Sequence, residues 1–297
     1  MILAASEIPG RARREEKEML YLLLAIVFAA MISIIMRLSE GRIKNRTCLL
    51  AANYLTCMVL ALCFLGPRNI FPAADGIRRT FGLGMLNGVF YMTALMANQY
   101  NITRNGVVLP SVFAKMGGLL VPLVVSIFLF GEIPGVLQVV GFVLAIAGIL
   151  MMNLRSGGGS AASMPALIML LFLEGFASSM AKVYRELGSS ALSDNFLFFT
   201  FTSAFILCVI VLLIKREHPG IRELLFGAAI GTSNFFAARF VLKALEAMPA
   251  VIVYPSRSVG NIVLLTLAGV LVFKEKLGRR QIIAMAVILA ALILLNI

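Results

Sequence analysis

Groups that build enzyme centres are scarce in this chain. It has one histidine, His218, inside a charged loop (Lys215-Arg216-Glu217-His218), and four cysteines, Cys48, Cys57, Cys63 and Cys208, with no C-x-x-C spacing. A lone histidine cannot complete a metal site, and cysteines in or beside apolar stretches read as small buried hydrophobes. There is no D-x-x-x-D pair, no His/Cys/Asp cluster, no Ser or Cys beside a His and no Gly-rich phosphate loop. Nucleophile, base and metal are therefore all missing, so catalysis is not expected, and neither is a cofactor or metal. Charge is thin as well. Only 13% of residues are charged and 61% are hydrophobic, with mean hydropathy +0.98, whereas ordinary soluble chains are roughly 25% charged. Such a composition belongs in a lipid bilayer. The net charge of +12 comes from Lys and Arg scattered over short loops, which offers no contiguous face to nucleic acid. Residues 1–18 carry Arg11, Arg13, Arg14, Lys17, Glu15, Glu16 and Glu18 and no small-residue cleavage site. They are expected to form a charged tail, or to reflect an upstream start in place of Met19, and not a cleavable signal.

Apolar stretches are what the chain has in abundance. Ten of them lie near residues 19–38, 47–65, 81–100, 106–130, 135–152, 164–185, 195–214, 224–245, 250–273 and 280–296. Most approach the roughly 20 residues that cross about 30 Å of hydrocarbon, so the expected fold is an all-α integral membrane protein of ten transmembrane helices. The set repeats. Phe81-Gly82, Phe90 and Pro110-Ser111 return about 145 residues on as Phe226-Gly227, Phe235 and Pro255-Ser256. Phe130, Glu132, Gly135, Gln138 and Asn153 return two residues sooner, as Phe273, Glu275, Gly278, Gln281 and Asn296, which reads as a short indel inside a duplication. The expected organisation is a first five-helix unit at 19–153, a Gly/Ser-rich linker at 154–163 and a second unit at 164–297. Five helices per unit is odd, so the second copy enters the membrane from the opposite side. The two are then inverted about an axis in the membrane plane, the usual build of a secondary transporter. Orientation is left open, because with a cytoplasmic N-terminus the outer loops would hold the larger share of Lys and Arg.

Ionisable residues inside such helices are expensive and mark function. Lys115 lies nine residues past Gly106, about 13 Å deep, and Arg257 eight past Pro249, about 12 Å from the other face, at 1.5 Å per residue. Glu174 is ten residues past Met164, about 15 Å in, and Arg239 lies nearer a helix end. Lys182 and Lys243 are read as snorkelling to the interface. Spacing places polar groups in stripes: Thr232, Phe236, Arg239 and Lys243 on the eighth helix against Asn87, Tyr91, Ala94 and Asn98 on the third. Tyr254, Arg257 and Asn261 lie on the ninth against Ser111, Lys115 and Gly118 on the fourth, and Glu174, Ser178, Lys182 and Arg185 on the sixth. The alternative for the Asn, Ser and Thr members is helix–helix adhesion. Pro110 and Pro255 either loosen a turn or simply start their helices.

The ten-helix, five-plus-five layout, with Phe130-Gly131-Glu132 and Phe273-Lys274-Glu275 closing the fourth and ninth helices and Gln138 and Gln281 six residues later, resembles the EamA-type drug/metabolite transporters over residues 19–297. That resemblance implies an exporter or importer of small metabolites, with export preferred, working by alternating access in a bacterial cytoplasmic membrane. Its central cavity would be lined by the third, fourth, eighth and ninth helices. Small multidrug relatives of that superfamily carry protons on a glutamate in mid-first-helix, where this chain has none around Ala29. Glu174, 145 residues on, occupies the corresponding place and is a proton-coupling candidate, or a fixed counter-ion. Candidate substrate contacts are Asn87, Tyr91, Ser111, Lys115, Thr232, Phe236, Arg239, Tyr254, Arg257 and Asn261. Three basic groups against one acid favour an anionic or zwitterionic substrate such as an amino acid, organic acid or phosphorylated metabolite, with a proton or exchanged metabolite as the coupling species. A proton-coupled multidrug or cation exporter is the alternative. A membrane-embedded enzyme and a structural membrane protein are weaker ones.

Overall fold

The structure, a computed structural model, describes residues 8–105, 108–153, 164–218, 220–272, 274 and 278–295. Ten α-helices run through it: α1 (Ile8–Ser39), α2 (Arg46–Leu65), α3 (Ile77–Asn105), α4 (Val108–Phe130), α5 (Val136–Asn153), α6 (Met164–Leu187), α7 (Ser193–Lys215), α8 (Ile221–Ala247), α9 (Ala250–Leu271) and α10 (Arg279–Leu295). Eight are long and apolar enough to cross a membrane, whereas α5 and α10 carry shorter apolar runs, Val136–Met151 and Ile282–Leu295. Among the described residues there is no strand. α1 starts at Ile8, so the part of the charged N-terminal segment from Ile8 onward is helix continuous with the first span rather than a separate tail.

Helix ends follow local chemistry. Asn45 caps α2 by accepting from the amides of Thr47 (2.9 Å) and Cys48 (3.4 Å). Such a cap satisfies donors that would otherwise be orphaned. Glu223 on the first turn of α8 also accepts from the amides of Lys44 (2.7 Å) and Asn45 (3.3 Å), fastening the α1–α2 turn to α8. α4 stops at Gly131, whose φ of +67° suits a residue without Cβ. Pro255 lies inside α9, and a second internal proline, Pro122, lies in α4.

Helices pair across the two halves of the chain. α2 packs on α7 and α8, α3 on α7 and α6, α1 on α8 and α9, α4 on α6, and α5 on α10. Without a hydrophobic driving force between helices in lipid, close approach through small residues supplies the attraction. A methyl group added to Gly231 of α8 would sit 2.5 Å from the carbonyl oxygen of Asn53 on α2, and Gly88 of α3 meets the backbone of Thr200 on α7 in the same manner. The largest core gathers Tyr54, Met92, Tyr184, Phe196, Phe201 and Phe235 where α2, α3, α6, α7 and α8 converge. A second lies among α1, α8 and α9 around Ile26, Val241 and Tyr254, and a third among α4, α5, α9 and α10 around Leu119, Ile149 and Ile288. Apolar side chains also face outward, among them Val124, Phe128, Leu213 and Leu225. A soluble protein would bury such a surface; here it meets lipid.

Contacts at the helix ends sort the bundle into two faces. α6 ends, α7 begins, α8 ends and α9 begins at one face, called near, where Asn195 donates to the carbonyls of Asn69 and Ile70 and Arg185 to that of Glu246. α1 ends, α2 begins and α8 begins at the far face, where Glu223 holds the α1–α2 turn.

Candidate functional site

Two cavities that share part of their lining lie in the middle of the bundle. The first, about 250 Å³, is lined by Ala29 of α1, Ala114, Lys115 and Gly118 of α4, Glu174 and Ser178 of α6, and Arg257, Ser258 and Asn261 of α9. The second, about 170 Å³, lies among α3, α6, α7, α8 and α9 and is lined by Asn87, Tyr91, Thr200, Asn234 and apolar side chains such as Phe196 and Leu242. Glu174, Ser178 and Arg257 border both, so they stand where the lobes meet. Three ionisable groups thus line the first cavity. Two are basic and one is acidic.

Polar wall groups are incompletely satisfied. Asn87 is 4% exposed, and its Nδ2 donates to Oγ1 of Thr200 (3.3 Å). Oδ1 of Asn87, Oδ1 of Asn261 and Nε of Arg257 have no hydrogen-bond partner among the described residues. Tyr254, fully buried, donates its hydroxyl to the carbonyl of Ser178 (2.9 Å) and so ties α9 to α6 beside the lobe junction.

Several of the residues expected at the site lie elsewhere. Arg239 does not join the cavity charges: it pairs with Asp194 of α7 (2.7 Å) and lies over the ring of Phe64 (4.2 Å). Thr232 is exposed and donates to the carbonyl of Ala228 on its own helix (3.0 Å). Phe236 stacks with Phe28 and Phe240 in an aromatic cluster between α1 and α8. Ser111 lines neither lobe. The stripe of α8 that does face the cavity is Asn234, Ala238 and Val241. It starts two residues past Thr232, a rotation of about 200° around the helix at 3.6 residues per turn. Asn87, Tyr91, Lys115, Glu174, Arg257 and Asn261 all border the central space, with Tyr254 packed just behind it.

Sequence spacing missed Thr200, Asn234 and the role of Glu132. At the near face, Glu132 reaches from the end of α4 and accepts from the first two amides of α9, Ala250 (3.1 Å) and Val251 (3.0 Å). Its carboxylate also pairs with Nζ of Lys182 (2.6 Å), which bonds Glu186 and lies near the ring of Phe130. Lys182 is 5% exposed, so it is not snorkelling: it is the buried centre of an ion network. A carboxylate on two free helix amides is favourable twice over, by hydrogen bonding and by the positive end of the helix dipole. The repeated Phe-x-Glu pattern was the available signal for this capping. Glu275, its counterpart, lies outside the described residues, and so do the side chains of Gln281 and Asn153.

Comparison with known proteins agrees with this architecture. The family model of the EamA-like transporter family matches residues 164–297. The second half of the chain is an EamA-like transporter domain. An uncharacterized protein of Haemophilus influenzae is 23% identical over 272 residues, covering 87% of this chain and 91% of its own. A solved crystal structure superposes with a TM-score of 0.71 at 15% identity, over 94% of this chain and 96% of the other, which shows a common fold. The family match over residues 164–297 and the eight helices long and apolar enough to cross a membrane fit a multi-pass membrane protein whose second half is EamA-like.

Proposed function

We propose that this EamA-type protein is a secondary transporter, exporting by preference, that moves small anionic or zwitterionic metabolites across a bacterial cytoplasmic membrane by alternating access. The observation that carries the reading is the meeting of Lys115, Arg257 and Glu174 around one cavity. Arg257 keeps an Nε with no hydrogen-bond partner among the described residues, and a buried cation that is incompletely paired is costly. An anionic substrate compensates it, with Arg257 as the clamp, because a guanidinium binds a carboxylate or phosphate bidentately. Glu174, which borders both lobes, takes up a proton in this reading when the substrate enters or leaves. A cation exporter would place its cargo beside Arg257 and Lys115, an arrangement that like-charge repulsion opposes.

Alternating access needs one closed face and two related halves. The Glu132–Lys182–Glu186 network and the Tyr254–Ser178 bond join α4, α6 and α9 near one end of the cavity. At the far face a wider opening of about 520 Å³, lined by Ser39, Lys44, Arg46, Asn98 and Gln99, follows α3 away from Tyr91. This supports a cavity closed at the near face and approached from the far one. Helix pairing supports inverted repeats at 19–153 and 164–297, joined by 154–163: α2 against α8 corresponds to α7 against α3 when each helix is replaced by the one five places along.

The direct test is protection. Ser258 lines the first lobe. With the exposed Cys63 replaced by serine, Ser258→Cys should react with a small maleimide, and organic anions should slow the reaction whereas lipophilic cations should not. Protection by cations alone, or by nothing that is transported, would reject the reading.

A further inference from the structure

The anion clamp explains one part of a substrate. A cavity borders it on each side, and the lining of each includes an asparagine whose buried amide oxygen has no donor among the described residues. In the lobe among α3, α6, α7 and α8, Asn87 is held by Thr200 through Nδ2, which turns Oδ1 away from that bond, and Oδ1 is unpartnered among the described residues. In the other lobe Oδ1 of Asn261 is in the same condition, one helical turn from Arg257. Arg257 itself stands where the two lobes meet. Buried acceptors of this kind are uncommon, because leaving one unpaired forfeits its hydration without return. Function is a common reason for keeping one.

We infer that Asn87 and Asn261 are specificity-determining residues that select an acid carrying hydrogen-bond donors on its carbon skeleton, in the chemical sense a hydroxylated organic acid, over the plain carboxylic acid of equal size. This deepens the anion-transport reading and rests on it. The acid group occupies the junction at Arg257, and a hydroxyl then donates to Oδ1 of Asn87 or Asn261 on either side. Apolar walls around the Asn87 arm, Phe196, Leu197, Phe201 and Leu242 among them, accommodate the carbon chain between acid and hydroxyl. A plain acid fills the same space but leaves both amide oxygens unpaired. Sites built to bond a substrate hydroxyl discriminate strongly against the analogue that lacks it.

The test is competition in proteoliposomes holding the full chain, with matched pairs of short carboxylic acids that differ only in hydroxyl groups. For the wild-type protein, the hydroxylated member of at least one pair should compete about tenfold or more better than its plain partner, on the scale of one paired against one unpaired buried acceptor. Asn87→Leu or Asn261→Leu should shrink that ratio toward one while plain acids still compete. Equal competition by every pair in the wild-type protein overturns the inference without any variant, as does a ratio that survives both substitutions. Competition by neither member of any pair, with lipophilic cations competing instead, would overturn the anion reading beneath it. Competition by plain acids alone leaves the anion reading standing and sinks only this one.

Discussion

Arg257 and Arg239 illustrate how two arginines on neighbouring helices acquire different work. Arg239 is neutralised by Asp194 and covered by Phe64, so its charge is already balanced. Arg257 borders both lobes and keeps an unpartnered Nε. Arg257→Lys keeps the charge but loses the fork that matches a carboxylate, and should weaken substrate binding by about 1–3 kcal/mol, read as a rise of roughly tenfold or more in half-saturating concentration. Arg239→Lys should leave that concentration near the parent value. An equal effect of both substitutions would mean that general cationic charge, and not a clamp, is what matters. Glu174 makes a separate demand. Its carboxylate faces the same space, and if it carries the coupling proton, Glu174→Gln should abolish accumulation driven by a pH gradient while exchange of internal for external substrate persists. A Glu174→Gln protein that still accumulates substrate on a pH gradient would make Glu174 a fixed counter-ion.

Among the elements, α9 is the one held from several sides. Glu132 of α4 caps its first amides, Tyr254 reaches α6, and Lys182 secures the cap from α6. Lys182 keeps Glu186 when Glu132 loses its charge, so the effect of that change falls mainly on the first turn of α9. Glu132→Gln keeps shape and loses charge, so it should free the start of α9 and raise near-face labelling of Ser258→Cys by an impermeant maleimide. Asp194→Asn, which loosens an ion pair at the same face without touching α9, should not. Unchanged labelling in Glu132→Gln would show that the network only stabilises the fold. Packing gives a second prediction: Gly231→Leu drives a side chain into the α2 backbone at Asn53. Overpacking of this kind costs about 1–3 kcal/mol or more, so purified protein should melt several degrees lower. Eight of the elements were legible because an apolar run of about 20 residues is a strong signal, whereas α5 and α10, expected as spans too, carry shorter runs. The face of α8 was not, because Thr232-Phe236-Arg239 and Asn234-Ala238-Val241 both form regular stripes. Only the neighbours decide which one looks inward, and Gly227 and Gly231 seat α8 against α2 so that Asn234 does. Lys182 was misread for a related reason: its acids come from the end of α4 and from its own next turn, and proximity between α4 and α6 is invisible to spacing.

At the scale of the whole molecule, one charge-bearing cavity is enclosed by helices drawn from both halves of the chain. Residues Ala29, Lys115 and Asn87 come from the first half, and Glu174, Thr200, Asn234 and Arg257 from the second. Neither half alone would hold the site, and separately expressed halves should transport only when combined. Related inverted units should also superpose, residues 19–153 on 164–297, after rotation about an axis in the membrane plane. A second conformation with the near face open and the far face closed should then be reachable by exchanging the roles of the halves. The central claim is nonetheless chemical: this cavity selects negative charge. Uptake by proteoliposomes of radiolabelled organic acids and of lipophilic cations, compared between the wild-type chain and Arg257→Gln, measures that claim directly. The account predicts acid uptake that is lost in Arg257→Gln and no cation uptake by the wild-type protein. Cation uptake by the wild-type protein, or acid uptake undiminished in Arg257→Gln, would contradict it.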